Sequence, residues 1–121
     1  MLFDTTFVID LAEETRGRRF GPCQALLHGH RHTTRRVSVV SLGEFAVGAT
    51  EAETRRAFRG FVPLPLGREG AVFAGRLQAA LPFEMGENDL WIAAEALRAR
   101  LPLVTRDRAF SRVPGLRVIG Y

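Results

Sequence analysis

Short apolar runs alternate with amphipathic stretches along the whole chain. Residues 1–4, 37–40 and 103–104 are compact apolar segments, the second rich in β-branched side chains, and read as strands. Residues 5–16 place Phe7, Leu11 and Glu14 at loose helical spacing, with Thr5 or Thr6 available to cap the start. Gly21-Pro22 breaks the chain, and Pro22 suits the first turn of a second helix through Leu26, Leu27 and His28. After the strand at 37–40, Ser41 and Glu44 have the Ser-x-x-Glu spacing of a capping box, which predicts a helix that Gly48 weakens or ends. A further helix follows over 51–59. Residues 61–65 are apolar but contain Pro63 and Pro65, so they form an edge strand or an extended segment. The spacing then predicts a helix over 69–81, a break at Pro82-Phe83, and a helix opened by Asn88 or Asp89 and running through Arg98. A last strand covers 116–119. This alternation predicts an α/β fold with a mainly parallel sheet.

At 121 residues the chain has enough length for one domain with a real core and too little for two. The lone Cys23 excludes an internal disulfide framework and fits a reducing compartment. Asp4, Asp10 and Glu13 exclude a signal peptide, and no stretch nears the roughly 18 apolar residues of a membrane span. A cytoplasmic protein with no membrane association is the expectation.

Four acids stand where apolar stretches end: Asp4, Glu44, Asp89 and Asp107. Burying a lone carboxylate is costly, and several together repel unless a cation joins them. Ligands of parallel sheets bind beyond the carboxyl ends of the strands, where Asp4 and Asp107 lie in this reading. Asp89 shares a helical face with Ile92, Ala93 and Ala96, which turns it toward the protein. Each acid also has a plain role: Asp4 and Asp89 as helix caps, Glu44 in a capping box, Asp107 in a turn. Taken jointly they point to an oxygen-ligand site for Mg²⁺ or Mn²⁺. All 17 basic residues are arginine and the net charge is +4; with the four acids set apart, the remainder carries +8. A basic body around an acidic hole suits a polyanion such as nucleic acid.

The segments 2–10, 37–49, 86–94 and 103–118 together resemble the ordered motifs of PIN-domain ribonucleases, in particular the toxins of VapBC-type toxin–antitoxin pairs. They read Leu2-Phe3-Asp4-Thr5-Thr6, Val37-Ser38-Val39-Val40-Ser41-Leu42-Gly43-Glu44, Asn88-Asp89-Leu90-Trp91-Ile92-Ala93-Ala94 and Leu103-Val104-Thr105-Arg106-Asp107. The resemblance covers nearly the whole chain. It implies one PIN domain over residues 1–121, a three-layer α/β/α sandwich with a sheet of four to five strands. It further implies metal-dependent hydrolysis of RNA phosphodiesters, with Mg²⁺ or Mn²⁺ lowering the pKa of water and offsetting charge on the leaving oxygen. Asp4, Asp89 and Asp107 are the implied ligands, and Glu44 either joins them or steers the water. Thr5, Thr6 and Thr105 either support the carboxylates or contact phosphate. Thr6 departs from the family's more usual Asn or Ser, Asp107 is the acid that varies, and Glu87 is a neighbouring alternative. A cognate antitoxin lying in an apolar groove built around Phe7–Leu11 and Phe45–Phe58, and a homodimer through a separate helical face, complete what the resemblance implies.

Two other classes compete. One is an inactive PIN-like scaffold that binds RNA or protein; the full set of acids argues against it. The other is a phosphotransfer domain, which requires a lysine that this chain lacks. His28, His30 and His32 alternate in a way that invites a transition-metal reading, but residues two apart on a helix do not share a face. Together with Arg31, Arg35 and Arg36 they form either a solvated helix end or a minor RNA-binding patch. Trp91, Phe83 and Phe110 read as core, and Phe7, Phe45 and Phe58 as either core or part of an exposed apolar groove.

Overall fold

The computed structural model describes residues 1–121 and contains five strands and six α-helices. In chain order these are β1 (Leu2–Phe3), α1 (Thr5–Arg16), α2 (Pro22–Gly29), β2 (Arg36–Ser38), α3 (Val39–Val47), α4 (Glu51–Ala57), β3 (Val62–Leu64), α5 (Gly67–Ala80), α6 (Glu87–Ala99), β4 (Leu103–Val104) and β5 (Val118–Ile119). A 3₁₀ turn, Arg108–Arg112, lies between β4 and β5. The strands form one sheet in the order β3-β2-β1-β4-β5, and all four pairings are parallel. Pro63 sits in β3 at the sheet's edge, where a missing N–H is tolerated.

Alternation along β1 splits the core between the two faces. Phe3, in register with Val37 and Val104, packs with Phe7, Val8, Leu11, Cys23, Leu27 and Phe58 under α1, α2 and α4. Leu2, in register with Leu103, packs with Ile92, Ala93, Ala96, Phe110 and Val113 under α6 and the 3₁₀ turn. The result is helix, sheet, helix in three layers, as expected. Since β1 is central and both its neighbours run parallel to it, the ends of β1, β2 and β4 open on the same edge.

Several boundaries differ from the sequence reading. The second strand stops at Ser38, and α3 begins at Val39, because the Ser38 hydroxyl accepts from the Val40 N–H at 3.0 Å and caps the helix first. Ser41 is therefore inside α3 and buried, not a cap. Asp4, not Thr5 or Thr6, caps α1. Gly86 is the N-cap residue of α6, so Asn88 and Asp89 lie in the first turn. A capping box does exist, formed by Thr50 and Glu53 at the start of α4. Phe110 is core, whereas Trp91 and Phe83 are only half-buried, the latter under the Arg112 guanidinium at 4.0 Å.

Candidate active site

Asp4 follows β1 directly and is only 3% exposed. Its Oδ1 accepts the Thr5 N–H at 2.7 Å; its Oδ2 accepts hydroxyls of Thr105 at 2.8 Å and Thr6 at 3.1 Å. Burial pushes its pKa up and outweighs the hydrogen bonds from Thr105, Thr5 and Thr6, with the Glu44 charge adding to the rise. The Thr105 hydroxyl also accepts the Asp107 N–H at 3.0 Å, so one side chain ties the end of β1 to the loop after β4. Asp107 in turn caps the 3₁₀ turn through the Ala109 N–H at 2.9 Å.

Glu44 approaches from α3. Thr5 donates to its Oε1 at 2.6 Å, and Ser41 Oγ lies 2.9 Å from the same Thr5 hydroxyl. Ser41 and Glu44 are three apart on α3 and so share the face turned to α1. That shared face is the sequence signal for Ser41, whose capping chemistry points instead to a helix start. Thr5, Thr6 and Thr105 all support carboxylates.

Asp89 reaches the same region from the first turn of α6. Burial first, and then the charges of Asp4, Asp107 and Glu44, together raise its pKa to about 6. Four elements thus bring their acids within electrostatic reach of one point. No arginine pairs with them. The molecule's three ion pairs, Arg55–Glu51, Arg98–Glu69 and Arg106–Asp10, involve none of the four. Glu87, the neighbouring alternative, is exposed and has no part in raising the Asp89 pKa.

The oxygens do not form a closed cage. No three His, Cys, Asp or Glu side chains anywhere in the molecule are grouped tightly enough to grip one ion directly. His28, His30 and His32 are exposed at the end of α2 and belong to no such group. Free acceptor capacity remains on Glu44 Oε2, Asp107 Oδ2 and the whole Asp89 carboxylate. An all-oxygen donor set with uncompensated charge fits a hard divalent cation that keeps much of its water, as Mg²⁺ does. A shallow groove of about 510 Å³ adjoins it, lined by Val40, Gly43, Glu44, Val47 and Asn88.

A larger groove of about 610 Å³ lies away from the acids, between α1, α2 and α4. Leu11, Leu27 and Phe45 line it, with Arg16, Arg56 and Arg59 at its margin. Of Phe7, Phe45 and Phe58, which the sequence leaves as either core or groove, Phe7 and Phe58 are buried core residues, because the first packs on Phe3 and the second on Phe61.

The molecule is a parallel three-layer α/β sandwich with Asp4, Glu44, Asp89 and Asp107 near one end of its sheet, and the sequence matches the PIN domain family across residues 1–116. The chain belongs to the PIN-domain family. Its fold is similar to solved toxin–antitoxin structures. A chain of VapBC2 from Rickettsia felis, bound to a DNA fragment from its promoter, has a TM-score of 0.80 at 18% identity, covering 98% of this chain and 96% of that one. A toxin–antitoxin complex from Klebsiella pneumoniae gives 0.73 at 27% identity, over 98% and 94%. VapBC-5 from Mycobacterium tuberculosis, a member of the VapBC family, is 30% identical over 71% of this chain and 79% of that one, with a TM-score of 0.57. No curated protein matches the sequence.

Proposed function

We propose that this PIN domain, over residues 1–121, is the toxin of a VapBC-type pair and a metal-dependent endoribonuclease acting in the cytoplasm. The observation that carries the reading is the gathering of four carboxylates: Asp4 is tied to Glu44 through Thr5 and to Asp107 through Thr105, and the Asp89 carboxyl is raised to about 6 by burial and by the other three. Such mutual repulsion, left uncompensated by any arginine, suits a site completed by Mg²⁺ or Mn²⁺. When bound, that ion supplies the Lewis acidity that activates water and offsets charge on the phosphate.

The chain's own residues do the rest. Thr105, Thr6 and the Thr5 N–H fix the orientation of the Asp4 carboxylate. Thr5 holds Glu44 by one oxygen and leaves the other to steer a water toward phosphorus. Asp107 is fixed through Oδ1 and presents Oδ2. Asp89, with no hydrogen-bond donor of its own, is the acid free to adjust. The surrounding arginines hold the RNA by its phosphates.

One observation favours the second reading, an inactive scaffold that binds RNA or protein: no three acids are close enough to grip one ion. A hydrated Mg²⁺ tolerates that spacing, since it takes few protein ligands.

The groove between α1, α2 and α4 is the proposed seat of the antitoxin, its apolar floor taking a helix or extended segment. Exposed Val39 and Val47 on α3 and Val72 and Phe73 on α5 supply apolar surface for the proposed homodimer. Brief induction of the protein, followed by sequencing of RNA 5′ and 3′ ends, tests the reading. Growth arrest with new RNA ends, relieved by co-expressing the adjacent small open reading frame, is the expected result. Unchanged growth and unchanged RNA ends would overturn it.

A further inference from the structure

Outside the cluster of four acids, one ionisable group stands in a place that chemistry does not ordinarily allow. Glu95, on α6, is 6% exposed, and neither of its carboxylate oxygens has a hydrogen-bond partner. Its neighbours on the helix, Ile92 to Ala94 and Ala96, are all fully buried. A charged carboxylate left in this state costs several kcal/mol, and an orphan of this kind calls for an explanation. The nearby polar side chain is Ser38, itself completely buried at the end of β2. Ser38 Oγ already accepts the Val40 N–H and caps α3. It therefore still has a proton to give and a lone pair to offer. Helix α3 carries Ser41 and Glu44, the two side chains that meet Thr5 at the acidic site.

We propose that Glu95 is a positioning residue: as a neutral acid it pairs with Ser38, braces the first turn of α3, and so fixes Glu44 relative to Asp4. The reading that Glu44 acts in RNA cleavage rests on the function proposed above; the bracing of α3 does not. Burial pushes the Glu95 pKa up, the nearby Ser38 hydroxyl, which makes no formed hydrogen bond to it, opposes this only in part, and no charged group from any packed element contributes. From α5, the buried Gly70 and Ala74 face α6, with Arg98 of α6 itself beside Gly70. From α3, the charged group is Glu44, which acts on Asp4 and Asp89 and not on Glu95. The sheet contributes Ser38 alone. A carboxyl this buried, with no charged or hydrogen-bonding partner, is held neutral by the fold, and its O–H is a donor that the remaining lone pair of Ser38 Oγ can accept.

The sign follows from the raised pKa. In the unfolded chain Glu95 ionises at the ordinary carboxylate value, so below that pH it costs the fold nothing. As pH rises past it, folding must hold the proton or strand a charge, and stability falls. Glu95→Gln keeps the shape and a donor while removing that cost; Glu95→Leu keeps approximate volume and removes the donor.

The experiment compares these two variants with the parent protein by hydrogen exchange at the α3 first-turn amides, by thermal unfolding from pH 4 to pH 8, and by RNA cleavage. Bracing predicts exchange at Val40 and Ser41 that is about tenfold faster in Glu95→Leu and unchanged in Glu95→Gln. It also predicts that Glu95→Gln melts higher than the parent at pH 8, with the gap closing toward pH 4. In cleavage, Glu95→Leu loses about tenfold in kcat with KM held, and Glu95→Gln rescues it. Equal exchange in all three proteins overturns the proposal, as does a melting gap that ignores pH. If the parent cleaves no RNA, the functional reading fails, and the exchange and melting results still decide the role of Glu95.

Discussion

Asp89 shows at the scale of one residue how the site's charge is stored. Its folded pKa is about 6, against an ordinary value of 3.8. Below pH ~4 the carboxyl is protonated in both folded and unfolded chains and costs nothing. As pH rises from there to about 6, the unfolded chain releases a proton that the folded one retains, and above that the full cost of a repelled carboxylate remains. Asp89→Asn should therefore stabilise the metal-free protein at pH 7.5, by about 1 kcal/mol once solvent screening at this half-exposed group is allowed for. At pH 4 the gain should vanish. Urea unfolding in chelator at the two pH values measures it, and an equal gain at both would mean that charge is not the cause. Thr105 makes a different prediction. Its hydroxyl joins Asp4 to the Asp107 N–H, so Thr105→Val, nearly isosteric, should cost about 1–2 kcal/mol of stability and leave Asp4 less well held. Thermal unfolding and the rate of RNA cleavage should fall together.

At the scale of elements, the junction of α1 and α2 depends on one buried acid. Glu14, near the end of α1, accepts the N–H groups of Cys23 and Gln24 at 2.9 and 3.0 Å and so caps α2, whose own N-cap residue, Gly21, has no side chain to offer. Burial raises the Glu14 pKa, but the backbone hydrogen bonds outweigh it and hold the group below its ordinary range. That stabilisation is present above the ordinary carboxylate pKa and is lost as pH falls through the lowered one. Glu14→Ala should cost about 1–2 kcal/mol at pH 7, and less in acid, by thermal unfolding. Gly21→Ala should cost a similar amount, since a Cβ there would stand 2.5 Å from Glu14 Oε1. Glu14 was legible in the sequence as part of a helical stripe, but its capping of α2 was not, because the contact joins residues nine and ten apart across a turn.

The same division holds elsewhere. Helix α1 and strand β4 were read correctly because periodicity and β-branching are local signals. The α3 boundary slipped because Ser38 and Ser41 both have capping chemistry, and only the parallel pairing that ends β2 at Ser38 decides between them. Asp4, Glu44, Asp89 and Asp107 were visible as acids out of place. Their shared electrostatic field, and the Thr5–Ser41 contact behind it, arise from elements far apart in sequence. Glu95 gave no sequence signal, since an acid within an apolar helix most often faces water.

For the whole molecule, the proposed RNA substrate and the 17 arginines together predict a salt dependence of binding. With about five phosphates contacted, affinity of a cleavage-dead variant for single-stranded RNA should fall roughly 100-fold between about 50 and 200 mM salt. Fluorescence anisotropy across that range measures the slope, and a flat line would point to a ligand other than nucleic acid. The separation of the two grooves matters equally, because a partner seated between α1, α2 and α4 does not itself cover the acids. Inhibition from that seat requires a further segment that reaches the carboxylates, where an arginine would find unpaired partners.

Cleavage of RNA by the purified protein, with and without divalent metal, bears most directly on the convergence of Asp4, Glu44, Asp89 and Asp107. Activity should disappear in EDTA and return with Mg²⁺ or Mn²⁺. Asp4→Asn and Asp89→Asn, checked to be folded, should each lose at least about 100-fold in rate with metal present. Undiminished cleavage in EDTA, or by either folded variant, would contradict a shared carboxylate site.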